Sequence, residues 1–135
     1  MPCKYVIASD GKSVVERWTG TVSRDELMMH KKQQVCDPLI KEGASVLSDC
    51  TLAVFAVSPD EISEIAAMDK DPGRNSKITR YAFLVNDDTY DRARQFSDQV
   101  NKGGKSVIIF NSVDIASIWL GLDLLTVRGL MDSIG

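Results

Sequence analysis

Residues 78–110 read ITRYAFLVNDDTYDRARQFSDQVNKGGKSVIIF. Ile78 to Val85 is the clearest strand in the chain, and Asn86-Asp87-Asp88 closes it with residues that cap helix N-termini well. Ala93, Phe96 and Val100 then line one face of a helix. Lys102-Gly103-Gly104 ends that helix, because glycine takes the left-handed C-terminal position at no steric cost. Ser106 to Phe110 is a second strand, nearly continuous in apolar residues, as strands buried on both faces are. Strand, helix and strand in this order make a right-handed crossover between parallel neighbours.

The same alternation extends outward. Ser58-Pro59-Asp60-Glu61 is a capping box with proline at the first helical position, followed by Ile62, Ile65 and Ala66 at helical spacing. Asp69 to Lys77 is a polar loop containing Pro-Gly. Ala44 to Ser48 reads as a short buried strand ending at Asp49. Ser23-Arg24-Asp25-Glu26 is another capping box, opening a helix that runs to about Val35 and stops near Cys36-Asp37-Pro38. Lys4 to Ser9 and Ser13 to Trp18 form an antiparallel hairpin around Asp10-Gly11-Lys12, and Thr19-Gly20-Thr21 ends its second strand. Beyond residue 110, Asn111-Ser112 caps a helix through Ala116, Trp119 and Leu120. In the tail, Leu120, Leu124, Val127, Met131 and Ile134 share one helical stripe. The order β-β-α-β-α-β-α-β-α plus a C-terminal helix predicts one α/β domain with a mixed, mostly parallel sheet.

A length of 135 residues suits one domain. Sixteen Lys+Arg against nineteen Asp+Glu, net −3, argues against a dedicated nucleic-acid binder. No apolar run approaches the roughly eighteen residues of a membrane span. Met1-Pro2-Cys3-Lys4 leads straight into a strand pattern, with no signal-peptide character. Cys3, Cys36 and Cys50 form no C-x-x-C pair, and His30 has no second ligand at metal spacing. Convergence of these residues on zinc in space is the alternative to the plainer reading, small buried hydrophobes in a reducing compartment. The plainer reading predicts a cytoplasmic location, no metal and no cofactor.

The element order resembles the STAS domain of the anti-sigma-factor antagonists, and its details resemble the SpoIIAA-like branch. The pieces are Trp18-Thr19-Gly20-Thr21-Val22-Ser23-Arg24-Asp25-Glu26-Leu27, where a strand ends near a glycine before a capped helix, and the strand end Val46-Leu47-Ser48-Asp49. They continue with Tyr81-Ala82-Phe83-Leu84-Val85 before the helix from Tyr90 to Phe96, and with the set Phe110, Ala116, Trp119, Leu120. The resemblance implies a SpoIIAA/STAS-like domain over residues 1–121, with 122–135 as a helical extension of it. The regulatory antagonists carry Asp-Ser-Ser where the second helix begins, and a partner kinase phosphorylates the second serine. Here Val57-Ser58-Pro59 stands in that place, so the phosphoserine switch does not carry over.

No catalytic motif is present, and a Ser-His-Asp triad would have to use His30, far from any nucleophile elbow. Three successive parallel strands are predicted to end in Asp49, Asn86-Asp87 and Asn111, and in open α/β sheets ligands bind beyond the strand carboxyl ends. The same residues serve equally as helix caps. Leu52 to Val57, including Phe55, reads as an apolar connection that covers a pocket or presents a partner surface. Lys70, Arg74, Lys77 and Arg80 surround the polar loop, where Asp69 and Asp71 are interleaved, as on a solvated surface. Met28 and Met29 read as half-buried packing on the first helix. Together these features predict a non-enzymatic regulatory or protein-interaction module that uses Asp49, Phe55, Ser58, Asn86, Asp87 and Asn111. The alternative is a binder of a small apolar or lipid-like ligand. The apolar tail must bury on its own sheet or on a second copy, and a homodimer through it is expected.

Overall fold

The computed structural model describes residues 3–70, 77–101 and 106–134. Strands β1 (Cys3–Ile7) and β2 (Ser13–Val22) form the predicted antiparallel hairpin. Gly11 sits in its turn at φ 73°, and a Cβ there would lie 2.5 Å from the Leu39 carbonyl oxygen, so only glycine fits. Helix α1 (Arg24–Cys36), β3 (Ala44–Phe55), α2 (Pro59–Lys70), β4 (Ile78–Leu84), α3 (Asp87–Asn101) and β5 (Ser106–Phe110) follow, then α4 (Val113–Leu120) and α5 (Leu124–Ile134).

Both capping boxes form. Ser23 Oγ accepts from Glu26 N while Glu26 Oε1 accepts from Ser23 N, and Ser58 and Glu61 exchange the same pair of bonds. Asn86 Oδ1 caps α3 by accepting from Thr89 N at 3.0 Å. Gly103-Gly104, Arg74 and the Pro-Gly of the polar loop lie outside the described residues.

The sheet order is β1-β2-β3-β4-β5, with every pair after the hairpin parallel. Right-handed crossovers that advance one way across a sheet put their helices on one face. Accordingly Val14, Val46, Tyr81 and Val107 meet Ile62, Ile65, Phe96 and Val100 of α2 and α3, with Leu27 and Met28 of α1 packed against them. The alternate residues Val15, Leu47 and Ala82 form the opposite face and meet Ala116, Leu120 and Val127 of α4 and α5.

Two strands run further than their sequence suggests. β2 continues through Thr19–Val22 and β3 through Leu52–Phe55, and these segments pair with each other past a register shift between Arg17 and Thr19. β4 stops following β3 at Asp49, opposite Leu84, so Cys50 to Phe55 project with β2 alone. The predicted end of β3 at Asp49 is therefore the end of the β4 ladder, not of the strand. The apolar connection is mostly strand: Ala53 and Val57 are buried, while Leu52 and Val54 are exposed.

Lys77 Nζ donates to the Asp37 carbonyl at 2.9 Å. Arg80 donates to the Trp119 carbonyl and stacks 4.3 Å from that indole, so Lys77 and Arg80 each have a structural partner. Helix α5 settles on β1 and β2 of its own sheet, with Val127 buried and Met131 and Ile134 packed around it. Within the chain that stripe is buried at Leu120 and Val127 and half-buried at Leu124, Met131 and Ile134. Val127→Asp should lower stability by about 3–5 kcal/mol by leaving a charge in the core. Leu125→Asp, on the exposed side of the same helix, should stay within about 0.5 kcal/mol. Urea denaturation of the two variants checks both.

Candidate functional site

On β2 the side chains of Val14, Glu16 and Trp18 share the face covered by α1. That alternation carries a carboxylate into the core, where Glu16 is 5% exposed. Ser48 lies directly opposite on β3, and His30 and Gln34, one helical turn apart on α1, reach down from above. Glu16 Oε2 accepts from Trp18 Nε1 at 2.7 Å and from Ser48 Oγ at 2.8 Å. Oε1 accepts from Gln34 Nε2 at 2.8 Å and lies 3.1 Å from His30 Nε2. Burial raises the carboxyl's pKa, but the facing imidazole and the hydrogen-bond donors outweigh it and bring it down to about 2.

The imidazole of His30 stands edge-on between Tyr5 and Trp18, with ring centroids 5.6 and 4.7 Å away. Cys3 Sγ lies 3.8 Å from its Nε2. Burial pushes the Cys3 thiol far above its usual range and Cys50 up to about 12, so both stay protonated and unreactive. Among the described residues, Cys3, Glu16 and His30 bring their ligand atoms within 4.8 Å of one another. This grouping shares Cys3 and His30 with the alternative zinc set of three cysteines and His30, adds Glu16, and leaves out Cys50 and the exposed Cys36. A cation there would need the Cys3 thiolate, and it would compete with the hydrogen bonds already converging on Glu16.

Beside this network a pocket of about 630 Å³, including its open mouth, lies between the sheet and helices α1, α2 and α3. Glu16, His30 and Gln34 line one part of it, and Trp18, Phe55, Tyr81, Phe83 and Phe96 supply aromatic walls. The rings support one another: Tyr81 stacks on Phe83 at 5.8 Å, Phe96 stands edge-on to Phe83 at 5.6 Å, and Phe55 to Trp18 at 5.7 Å. Lys31 Nζ lies 4.5 Å from the Tyr81 ring centroid and 4.8 Å from that of Phe96, and it donates to the Tyr81 hydroxyl. Arg92 lines the same pocket from α3.

The residues singled out in the sequence are distributed differently. Phe55 lines the pocket. Asp49 is buried, its parity placing it on the sheet face opposite Glu16, where it accepts from Arg17 Nε at 3.3 Å and from Thr51 N at 3.0 Å and Oγ1 at 2.6 Å. Asn86 joins it indirectly, donating to the Thr51 carbonyl at 2.8 Å while capping α3. Asp87 is exposed in the first turn of α3, Asn111 is exposed after β5, and Ser58 sits in its capping box. No sequence motif marks Glu16 or Gln34, and the sequence offers His30 only as an isolated histidine and Trp18 only as a strand residue. The available signal was a charge in register with Val14 and Trp18.

Glu16→Gln should cost about 3–5 kcal/mol, because an amide has a single acceptor oxygen and leaves buried donors of this network unmatched. A carboxylate whose folded pKa lies below its unfolded value of 4.5 stabilises the fold above that value. That contribution is lost as pH falls toward about 2. Stability measured by urea denaturation should therefore fall over this acid range, and more shallowly in Glu16→Gln. Ser58→Ala should cost about 0.5–2 kcal/mol through cap loss alone; thermal melts check it.

No protein-family model and no curated protein matches the chain. Among solved structures, it is similar to the crystal structure of an uncharacterised protein from the DUF3478 family with a SpoIIAA-like fold, from Shewanella loihica PV-4. The two superpose with a TM-score of 0.54 at 11% identity, covering 87% of this chain and 91% of that one. At that identity the likeness concerns architecture: this chain has a SpoIIAA-like fold.

Proposed function

We propose that this chain is a non-enzymatic binding protein that holds a small apolar molecule in the pocket between α1 and the sheet. The observation that carries the reading is the aromatic wall of Trp18, Phe55, Tyr81, Phe83 and Phe96 around an open space. Ligand sites are commonly concave and mostly apolar in this way. The surrounding chemistry supports a holding role rather than a reaction. The Cys3 and Cys50 thiols are kept protonated, and the Glu16 carboxylate is enclosed by donors. Buried, unpaired Cys3 and Cys50 also suit a reducing compartment such as the cytoplasm.

A second reading, a partner-binding module without a phosphoserine switch, is supported by the β2–β3 extension. There Leu52 and Val54 are 60% and 57% exposed beside the pocket-lining Phe55. Asp49, Ser58, Asn86, Asp87 and Asn111 would then serve by shaping the strand ends and helix starts around that surface. Among the described residues, no helix is long and apolar enough to cross a membrane.

Native mass spectrometry of the purified chain should detect a retained small molecule that denaturation releases. Ala93→Phe, which fills the pocket from α3, should abolish retention while leaving the melting temperature within a few degrees. A chain that carries no ligand and takes up no apolar probe would overturn the proposal.

A further inference from the structure

We infer that the pocket's ligand is an anionic amphiphile, its apolar body among the aromatic rings and its acid group at Lys31 and Arg92; this rests on the pocket being a binding site. The deep wall offers a ligand little polar chemistry. Both Glu16 oxygens already face two donors each, and Ser48 donates to the same carboxylate. What remains there is ring and aliphatic surface, which suits a hydrocarbon or aromatic body.

Aromatic rings beside a carboxylate are also the composition of a cation cage. Two observations exclude a cationic ligand here. The faces of Tyr81 and Phe96 are taken by the Lys31 ammonium, 4.5 and 4.8 Å from their centroids. A second cation would have to lie beside that charge. The negative charge of Glu16, moreover, is 5% exposed and fully enclosed by its own donors.

Among the described lining residues, the charges other than that of the enclosed Glu16 are positive. Lys31 reaches it from α1 and Arg92 from α3, where Arg92 stands one turn before Phe96 and so on the same side of the helix. Asp88 and Asp91 are its exposed neighbours on α3, but among the described residues Arg92 makes no ion pair. A half-buried guanidinium at the edge of an apolar pocket is suited to a carboxylate, which it can grip with two parallel hydrogen bonds.

The test is calorimetric titration of the full chain with octanoate, 1-octanol and octyltrimethylammonium, which share a tail and differ in head charge. Octanoate should bind about tenfold more tightly than octanol, and the ammonium most weakly. Arg92→Gln and Lys31→Met should each bring octanoate toward octanol while octanol itself changes by less than about twofold. Lys31→Met also removes the bond to the Tyr81 hydroxyl, so Arg92→Gln is the cleaner variant. Equal binding of octanoate and octanol, or tightest binding of the ammonium, overturns this inference and leaves the pocket reading standing. No binding of any of the three overturns both.

Discussion

The carboxylate of Glu16 is the constraint around which this molecule is arranged. A charge removed from water must be matched by donors in place, because an unmatched one costs several kcal/mol. Here the matching groups come from three separate elements: Trp18 on the same strand, Ser48 on the next, and His30 and Gln34 on the helix above. Meeting that requirement fixes the height and rotation of α1 over β2 and β3. Neighbouring side chains inherit the consequence. Lys31, next to His30, is set over Tyr81 and Phe96, and Leu27, one turn before Lys31, also faces the pocket.

Topology supplies the rest of the frame. Strands that follow one another in spatial order, joined by right-handed crossovers, place α1, α2 and α3 on one side of the sheet. The other side would stay open if the chain stopped at β5. Instead α4 and α5 return across it, and α5 covers β2 and β1, the strands furthest from β5. The first face is left with an imperfect seam, since three helices of different lengths meet an extended β2–β3 ribbon that outruns β4. The pocket lies in that seam, and the ribbon contributes Trp18 and Phe55 to its wall.

In the proposed reading, binding and stability use the same residues. The rings that pack against one another also line the pocket. The network that holds α1 takes up the polar groups of the deep wall, so in the proposed reading charge recognition falls to Lys31 and Arg92. A SpoIIAA-like fold alone does not determine such a role, because one architecture hosts unrelated functions.

Much of the architecture was legible locally. Ser23 with Glu26 and Ser58 with Glu61 announced two helices, Asp10-Gly11 announced the hairpin, and alternation of strand and helix announced a mostly parallel sheet. These signals work because a cap or a turn is completed within a few residues. Phe55 was also legible as part of an apolar segment too long for a surface loop. Three features were decided only by contacts between distant parts of the chain. Thr19-Gly20-Thr21 has the composition of a strand end, yet Leu52 to Phe55 lie alongside to take up its backbone hydrogen bonds, so the strand goes on. The stripe on α5 states that the helix must be buried, but only the uncovered face of β1 and β2 states where. Glu16 reads as an ordinary strand charge until Ser48, His30 and Gln34, up to 32 positions away, close around it. Hydrogen-bond donors gathered from separate elements leave no spacing pattern in the chain, and this is why the pocket's polar wall emerged only once the chain was folded.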